Sequence, residues 1–144
     1  MEQSNTKIPV TFWIISGIAL FWNSMGVFAF ISDMTMGETD FAQMSEGMKA
    51  LYANNPLWMK AIYGIATIGG LIASIGLLLR KKWAAPAFLI SLIAAAIQMA
   101  RSVFATNAVE VMGNSAIALP TMIIIIGAFL WYYAKKGIIK GWLK

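Results

Sequence analysis

A chain of 144 residues that is 60% hydrophobic and 12% charged, with a mean hydropathy of +0.73, cannot present a polar surface to water on all sides, so most of its surroundings must be lipid. The net charge of +5 comes from basic residues gathered at the edges of apolar runs, which argues for membrane topology and against nucleic acid as a partner. Cysteine and histidine are both absent, which excludes disulfides, thiolate and imidazole catalysis, the usual zinc ligands and histidine-ligated haem.

Hydrocarbon about 30 Å thick takes roughly 20 residues per helix, so the length holds four spans with short connections in a single domain, residues 1–144. Glu2 to Lys7 is a polar leader, and Pro9 suits a helix start, where its missing amide proton is not needed. The first span is predicted over about residues 10–31, with Phe12, Trp13, Phe28 and Phe30 near its ends and Asn23 near its middle. An asparagine at that depth either bonds a neighbouring helix or contacts a ligand.

Between Ser32 and Pro56 lie Asp33, Glu38, Asp40 and Glu46, four of the six acidic residues. Thr39 or Asp40 is placed to cap a short helix whose Phe41, Met44, Met48, Leu51 and Tyr52 share one face, and Asn54-Asn55 ends it before Pro56. Such an amphipathic segment is expected to lie at the membrane surface.

The second span covers about residues 57–79, entered through Trp58 and Lys60. Ala66, Gly69, Ala73 and Gly76 fall on one helical face, with Gly70 and Ser74 beside it, and form a packing seam that lets a neighbouring backbone approach closely. Arg80-Lys81-Lys82 follows, a cationic turn that cannot sit in hydrocarbon, and Trp83 marks the interface. The third span covers about residues 84–105; Ala87, Ser91, Ala94, Gln98, Arg101 and Ala105 form one small and polar stripe that should face protein. Arg101 is the charged residue set furthest into a span. It either binds an anionic group or reaches to the interface to pair with Glu110 or Asp33.

Asn107 to Ser115 is a short connection containing Glu110, and Asn114 or Ser115 is placed to cap the fourth span, about residues 116–134, with Pro120 inside its first turns. Trp131, Tyr132 and Tyr133 form an aromatic belt before Lys135-Lys136. The tail, with Ile138, Ile139, Trp142 and Leu143 among lysines, reads as a short interfacial anchor.

Lys7, Arg80, Lys81, Lys82, Lys135, Lys136, Lys140 and Lys144 fall on one side of this arrangement, which the positive-inside rule makes cytoplasmic. Short connections make successive spans antiparallel. The expected fold is therefore an all-α, integral membrane, up-down-up-down four-helix bundle with both termini cytoplasmic and a short interfacial helix in the first extracytoplasmic loop. Asn23, Lys60, Gln98, Arg101 and Glu110 are the candidates for one polar pocket opening outward. Ser16, Ser74 and Ser91 have no histidine to activate them and no Gly-x-Ser-x-Gly elbow occurs, so no enzyme and no cofactor are expected.

Phe12-Trp13-Ile14-Ile15-Ser16-Gly17, Leu20-Phe21-Trp22-Asn23-Ser24-Met25-Gly26, the Leu78-Leu79-Arg80-Lys81-Lys82-Trp83-Ala84 turn and Ser91-Leu92 resemble a group of small uncharacterised four-helix bacterial inner-membrane proteins, some labelled sugar transporters. The resemblance spans nearly the whole chain and implies a bacterial inner membrane; its motifs concern packing and topology and bring no site residue with them. The expected role is that of a non-catalytic accessory or scaffold protein in the lipid bilayer, a homo-oligomer or a subunit of a larger membrane complex, packing through the small-residue seam of the second span. The alternative is an oligomeric transporter of small solutes or ions, with Asn23, Gln98 and Arg101 along its path.

Overall fold

The computed structural model describes residues 7–53, 56–106 and 108–144. The polar leader before Lys7, the helix-ending Asn54-Asn55 and Asn107 lie outside the described residues. Four long helices dominate: α1 (Val10–Met34), α4 (Leu57–Leu78), α5 (Ala84–Phe104) and α7 (Ser115–Ile139), with the short α2 (Glu38–Ala42), α3 (Glu46–Ala53) and α6 (Ala108–Met112) between them. Each long helix has 21 to 25 residues and an apolar stretch of mean hydropathy 1.8 or 1.9. At about 1.5 Å per residue each is long enough to cross a bilayer, so the chain is an all-helical, multi-pass membrane bundle.

Several boundaries differ from the sequence reading, for local reasons. The surface helix is two helices, because Ser45 interrupts it: its Oγ accepts the Met48 amide proton at 3.3 Å and starts α3 afresh. Thr39 and Asp40 lie inside α2, whose N-cap is Gly37; Glu38 and Asp40 sit in its first turn, where the helix dipole favours negative charge. Asn114 precedes α7 without a side-chain capping bond. Pro120 lies inside α7, which continues through Lys135 and Lys136 to Ile139. Lysines near a helix C-terminus suit the dipole and extend their stems along apolar surface, so they do not stop the helix.

Close backbone packing runs α1 on α4, α4 on α5 and α5 on α7. In α4's most apolar window 33% of residues are buried, against 11% in each of the other three, so α4 is the inner rod. Along α1, Asn23, Gly26 and Phe30 meet in turn Gly70, Thr67 and Gly64 of α4. The numbers fall on one helix as they rise on the other, so these two helices run in opposite directions.

Gly70 is where three helices converge. A Cβ there would collide with Asn23 Oδ1 of α1 and lie 3.2 Å from Ser91 Oγ of α5. Asn23 Nδ2 donates to Ala19 O at 2.8 Å and to Ser74 Oγ at 2.9 Å, and Ser74 Oγ donates to Gly70 O at 2.9 Å. Ser91 Oγ donates to Ala66 O. Interhelical bonds of this kind contribute about 0.6 to 2 kcal/mol each inside a membrane.

The small-residue seam of α4 is real, and the same chain fills it. Ala73 is fully buried, a Cβ on Gly69 would touch Ser91 at 3.6 Å, and one on Gly76 would strike the Trp83 ring at 2.6 Å. Within the chain, Ser91 of α5 thus lies against Ala66 and Gly69, and the Trp83 ring lies against Gly76.

At the basic end two helix termini share one geometry. Arg80 ends α4 with φ +59° and Gly141 ends α7 with φ +80°. Lys81 N–H bonds Gly76 O at 2.9 Å and Arg80 N–H bonds Leu77 O at 3.0 Å; Trp142 N–H bonds Gly137 O at 2.8 Å and Gly141 N–H bonds Ile138 O at 3.2 Å. Both are Schellman motifs, which require a left-handed residue just past the helix. The reversed chains then pair: Lys144 N–H to Arg80 O at 2.8 Å, Lys82 N–H to Lys144 O at 3.3 Å and Arg80 Nε–H to Trp142 O at 2.8 Å.

The tail is therefore not an interfacial anchor. Trp142 and Leu143 are 7% and 2% exposed. Their side chains close the bundle end against Phe12, Tyr133 and Ala134. Phe12 stacks on Tyr133 at 6.3 Å and meets Trp142 edge-on at 5.7 Å, geometries that suit the ring quadrupoles. The reversal at Gly141 turns Trp142 inward, which hydrophobicity along the chain does not reveal.

Candidate functional site

The end of the bundle opposite the basic turn holds a partly open cavity of about 360 Å³, lined by residues of α1, α2, α3, α4 and the α1–α2 connection, Asp33, Glu38, Phe41, Tyr52, Lys60 and Tyr63 among them. Asp33 lies in the last turn of α1. A carboxylate at a helix C-terminus faces the negative end of the dipole, so the position is unfavourable without compensating donors. Two phenols supply them. Tyr52 Oη of α3 donates to Asp33 Oδ1 at 3.3 Å, and Tyr63 Oη of α4 donates to Oδ2 at 3.1 Å.

The consequence for Tyr52 is a pKa above the usual phenol value. Burial is the largest cause, followed by the Asp33 charge and the hydrogen bond to it. Tyr63 is also fixed from behind: Phe30 meets its ring edge-on at 5.1 Å, and a Cβ on the adjacent Gly64 would lie 3.1 Å from Phe30 Cζ. One carboxylate thus ties α1 to both α3 and α4. An ionised carboxylate offers about four lone-pair sites, so Asp33 retains accepting capacity beyond these two bonds.

Lys60 lies one helical turn before Tyr63 and lines the same cavity. Among the described residues it makes no hydrogen bond or ion pair; the ion pair found there joins Lys49 to Glu46 at 3.3 Å on exposed α3. Glu38 and Phe41 of α2 complete the rim, with Met34 and Met36 supplying polarisable apolar wall.

Of the five residues proposed from sequence for an outward polar pocket, Lys60 lines this cavity and the other four do not. Asn23, ten residues before Asp33 on α1 and so about 15 Å away along the helix, spends its amide on Ala19 and Ser74. Gln98 and Arg101 are half-buried on α5, and Glu110 is exposed on α6. The Arg101 guanidinium lies 6.0 Å from the centre of the Trp58 ring, a cation–π contact at the entrance of α4.

Asp33, Tyr52 and Tyr63 are the residues that sequence reasoning did not bring together. The available signal was Tyr63 itself, a phenol nearly two turns into an apolar span, together with an aspartate at the end of another. No protein-family model, curated protein or solved structure matches this chain, so the site is read from its own geometry.

Proposed function

We propose that this chain is a non-catalytic accessory or scaffold protein of the bacterial inner membrane, an up-down-up-down bundle with both termini cytoplasmic and α2 and α3 at the extracytoplasmic interface. The gathering of Arg80, Lys81, Lys82 and the lysines of the tail at one end supports the orientation, since cytoplasmic loops carry the excess of basic residues. Asp33, Glu38, Asp40 and Glu46 lie at the other end, and the orientation itself rests on the basic residues.

The observation that carries the accessory role is the division of labour between inside and outside. Asn23, Ser74 and Ser91 are used in bonds between or within the helices of this chain, while α1 turns Gly17, Phe21, Ser24 and Phe28 outward at spacings of four, three and four. A Cβ on Gly17 would meet nothing within 4 Å. Small residues alternating with aromatic ones on an open helix face suit close approach by another membrane helix, of a second copy or of a larger complex. Gly17→Leu combined with Ser24→Leu is expected to abolish any assembly larger than one chain in mild detergent while the monomer stays folded. An assembly of unchanged size would remove this reading.

The open cavity favours a second reading, an oligomeric carrier of small solutes or ions. That reading expects Asp33→Asn to lower solute uptake at unchanged protein level, and an unaltered uptake profile would remove it.

A further inference from the structure

The cavity beside Asp33 combines four features that a purely structural contact does not need. Asp33 sits against the helix dipole and is held there by phenols from two other helices. Lys60, free of protein partners among the described residues, lines the same space. Glu38 adds a second carboxylate, and Phe41 with Met34 and Met36 makes the remaining wall apolar. A local arrangement that opposes its own electrostatics and is over-determined by its neighbours is the kind retained for a ligand.

Two carboxylates and one ammonium leave the lining with an excess of negative charge and both signs on offer. A simple anion would meet the carboxylates, and a simple cation would meet Lys60. A molecule carrying both signs satisfies all three. The cavity, of about 360 Å³ and partly open, has room for a small group with a short spacer between its charges. The cavity lies at the mouth of two apolar spans, α1 and α4, the depth at which lipid head groups sit.

We propose that this cavity binds a zwitterion in which a primary ammonium and an anionic group are joined by a short spacer, the ammonium at Asp33 and the anion at Lys60. A primary ammonium has three donors for the lone pairs that Tyr52 and Tyr63 leave open on Asp33, and charge-assisted bonds of this type are stronger than neutral ones. Both a water-soluble phosphoethanolamine-like solute and the head group of phosphatidylethanolamine carry this chemistry. The inference does not require that the chain assemble with a partner or transport what it binds.

The full chain, purified in detergent, is offered an equimolar mixture of phosphatidylethanolamine, phosphatidylcholine and phosphatidylglycerol, and retained lipid is read by native mass spectrometry. Phosphatidylethanolamine is expected to exceed each of the others by about tenfold, since phosphatidylcholine lacks N–H donors and phosphatidylglycerol lacks the ammonium. Lys60→Gln, which removes no side-chain bond among the described residues, and Asp33→Asn are each expected to erase the preference. Displacement of the retained lipid by O-phosphoethanolamine assigns the site to a soluble zwitterion, and lipid held against it assigns the site to the head group. Equal retention of the three lipids, or a preference that survives Lys60→Gln, overturns the proposal. Neither result bears on the Gly17 and Ser24 assembly test, so the two readings fail separately.

Discussion

Gly70 shows how little a single side chain can change at this bundle's centre. Its Cα lies under Asn23 of one neighbour and Ser91 of the other, and the Asn23 amide is held by two hydrogen bonds, so the amide cannot move aside without straining or breaking them. Gly70→Ala is expected to cost about 1 to 3 kcal/mol through overpacking, read as a lower midpoint in thermal unfolding in detergent. Gly17→Ala, with open space around it within the chain, is expected not to lower that midpoint, since alanine is the better helix former. Tyr52 carries a second prediction at this scale. Its proton is held more tightly in the folded chain than in the unfolded one, so the stabilisation it brings is fully present below the ordinary phenol pKa of about 10 and is lost as pH rises through the folded value. Absorbance titration should show a tyrosine ionising late. Asp33→Asn should move that ionisation back toward the ordinary value without restoring it, because burial, the largest cause, remains.

Among the helices and turns, the paired termini of α4 and α7 are the most specific construction. Arg80 occupies a left-handed conformation that costs an L-residue about 1 to 2 kcal/mol, yet its side chain bonds Trp142 O and its carbonyl accepts from Lys144. Arg80→Gly relieves the backbone and loses the guanidinium bond; Arg80→Ala loses the bond and keeps the strain. Stability is therefore expected to fall in the order wild type, Arg80→Gly, Arg80→Ala, with about 1 kcal/mol between the two variants. Trp142→Ala empties the space against Phe12 and Tyr133 and is expected to cost about 3 kcal/mol, seen as an earlier unfolding midpoint and faster proteolysis of the tail. An unaltered midpoint would show that the tail is docked without contributing to stability.

For the molecule as a whole, the arrangement in the membrane makes one direct prediction. The chain has no cysteine, so single introduced cysteines report topology against a clean background. Gly37→Cys is expected to react with a membrane-impermeant maleimide in intact cells, and Lys7→Cys only after permeabilisation. The reverse pattern would invert the bundle and move the Asp33 cavity to the cytoplasmic side.

Four apolar runs, their number and their rough limits were legible in residue order, as was the gathering of basic charge at one end. Transfer of a helix into hydrocarbon depends on the composition and length of that helix alone, so solvation is a property that can be read along the chain. The small seam of α4 was legible for the same reason, as a face set by a period of 3.6. What covers that seam was not, because it depends on which side chains the neighbouring segment turns toward it, and here Ser91 of α5 and the ring of Trp83, just before α5, do so. Likewise, the positive φ at Gly141 sends Trp142 and Leu143 into the core. The meeting of Asp33, Tyr52 and Tyr63 required three helices to be placed at once. Lipid solvation is additive along the sequence, whereas side-chain partnership depends on helix rotation and chain reversal, which only the tertiary structure decides.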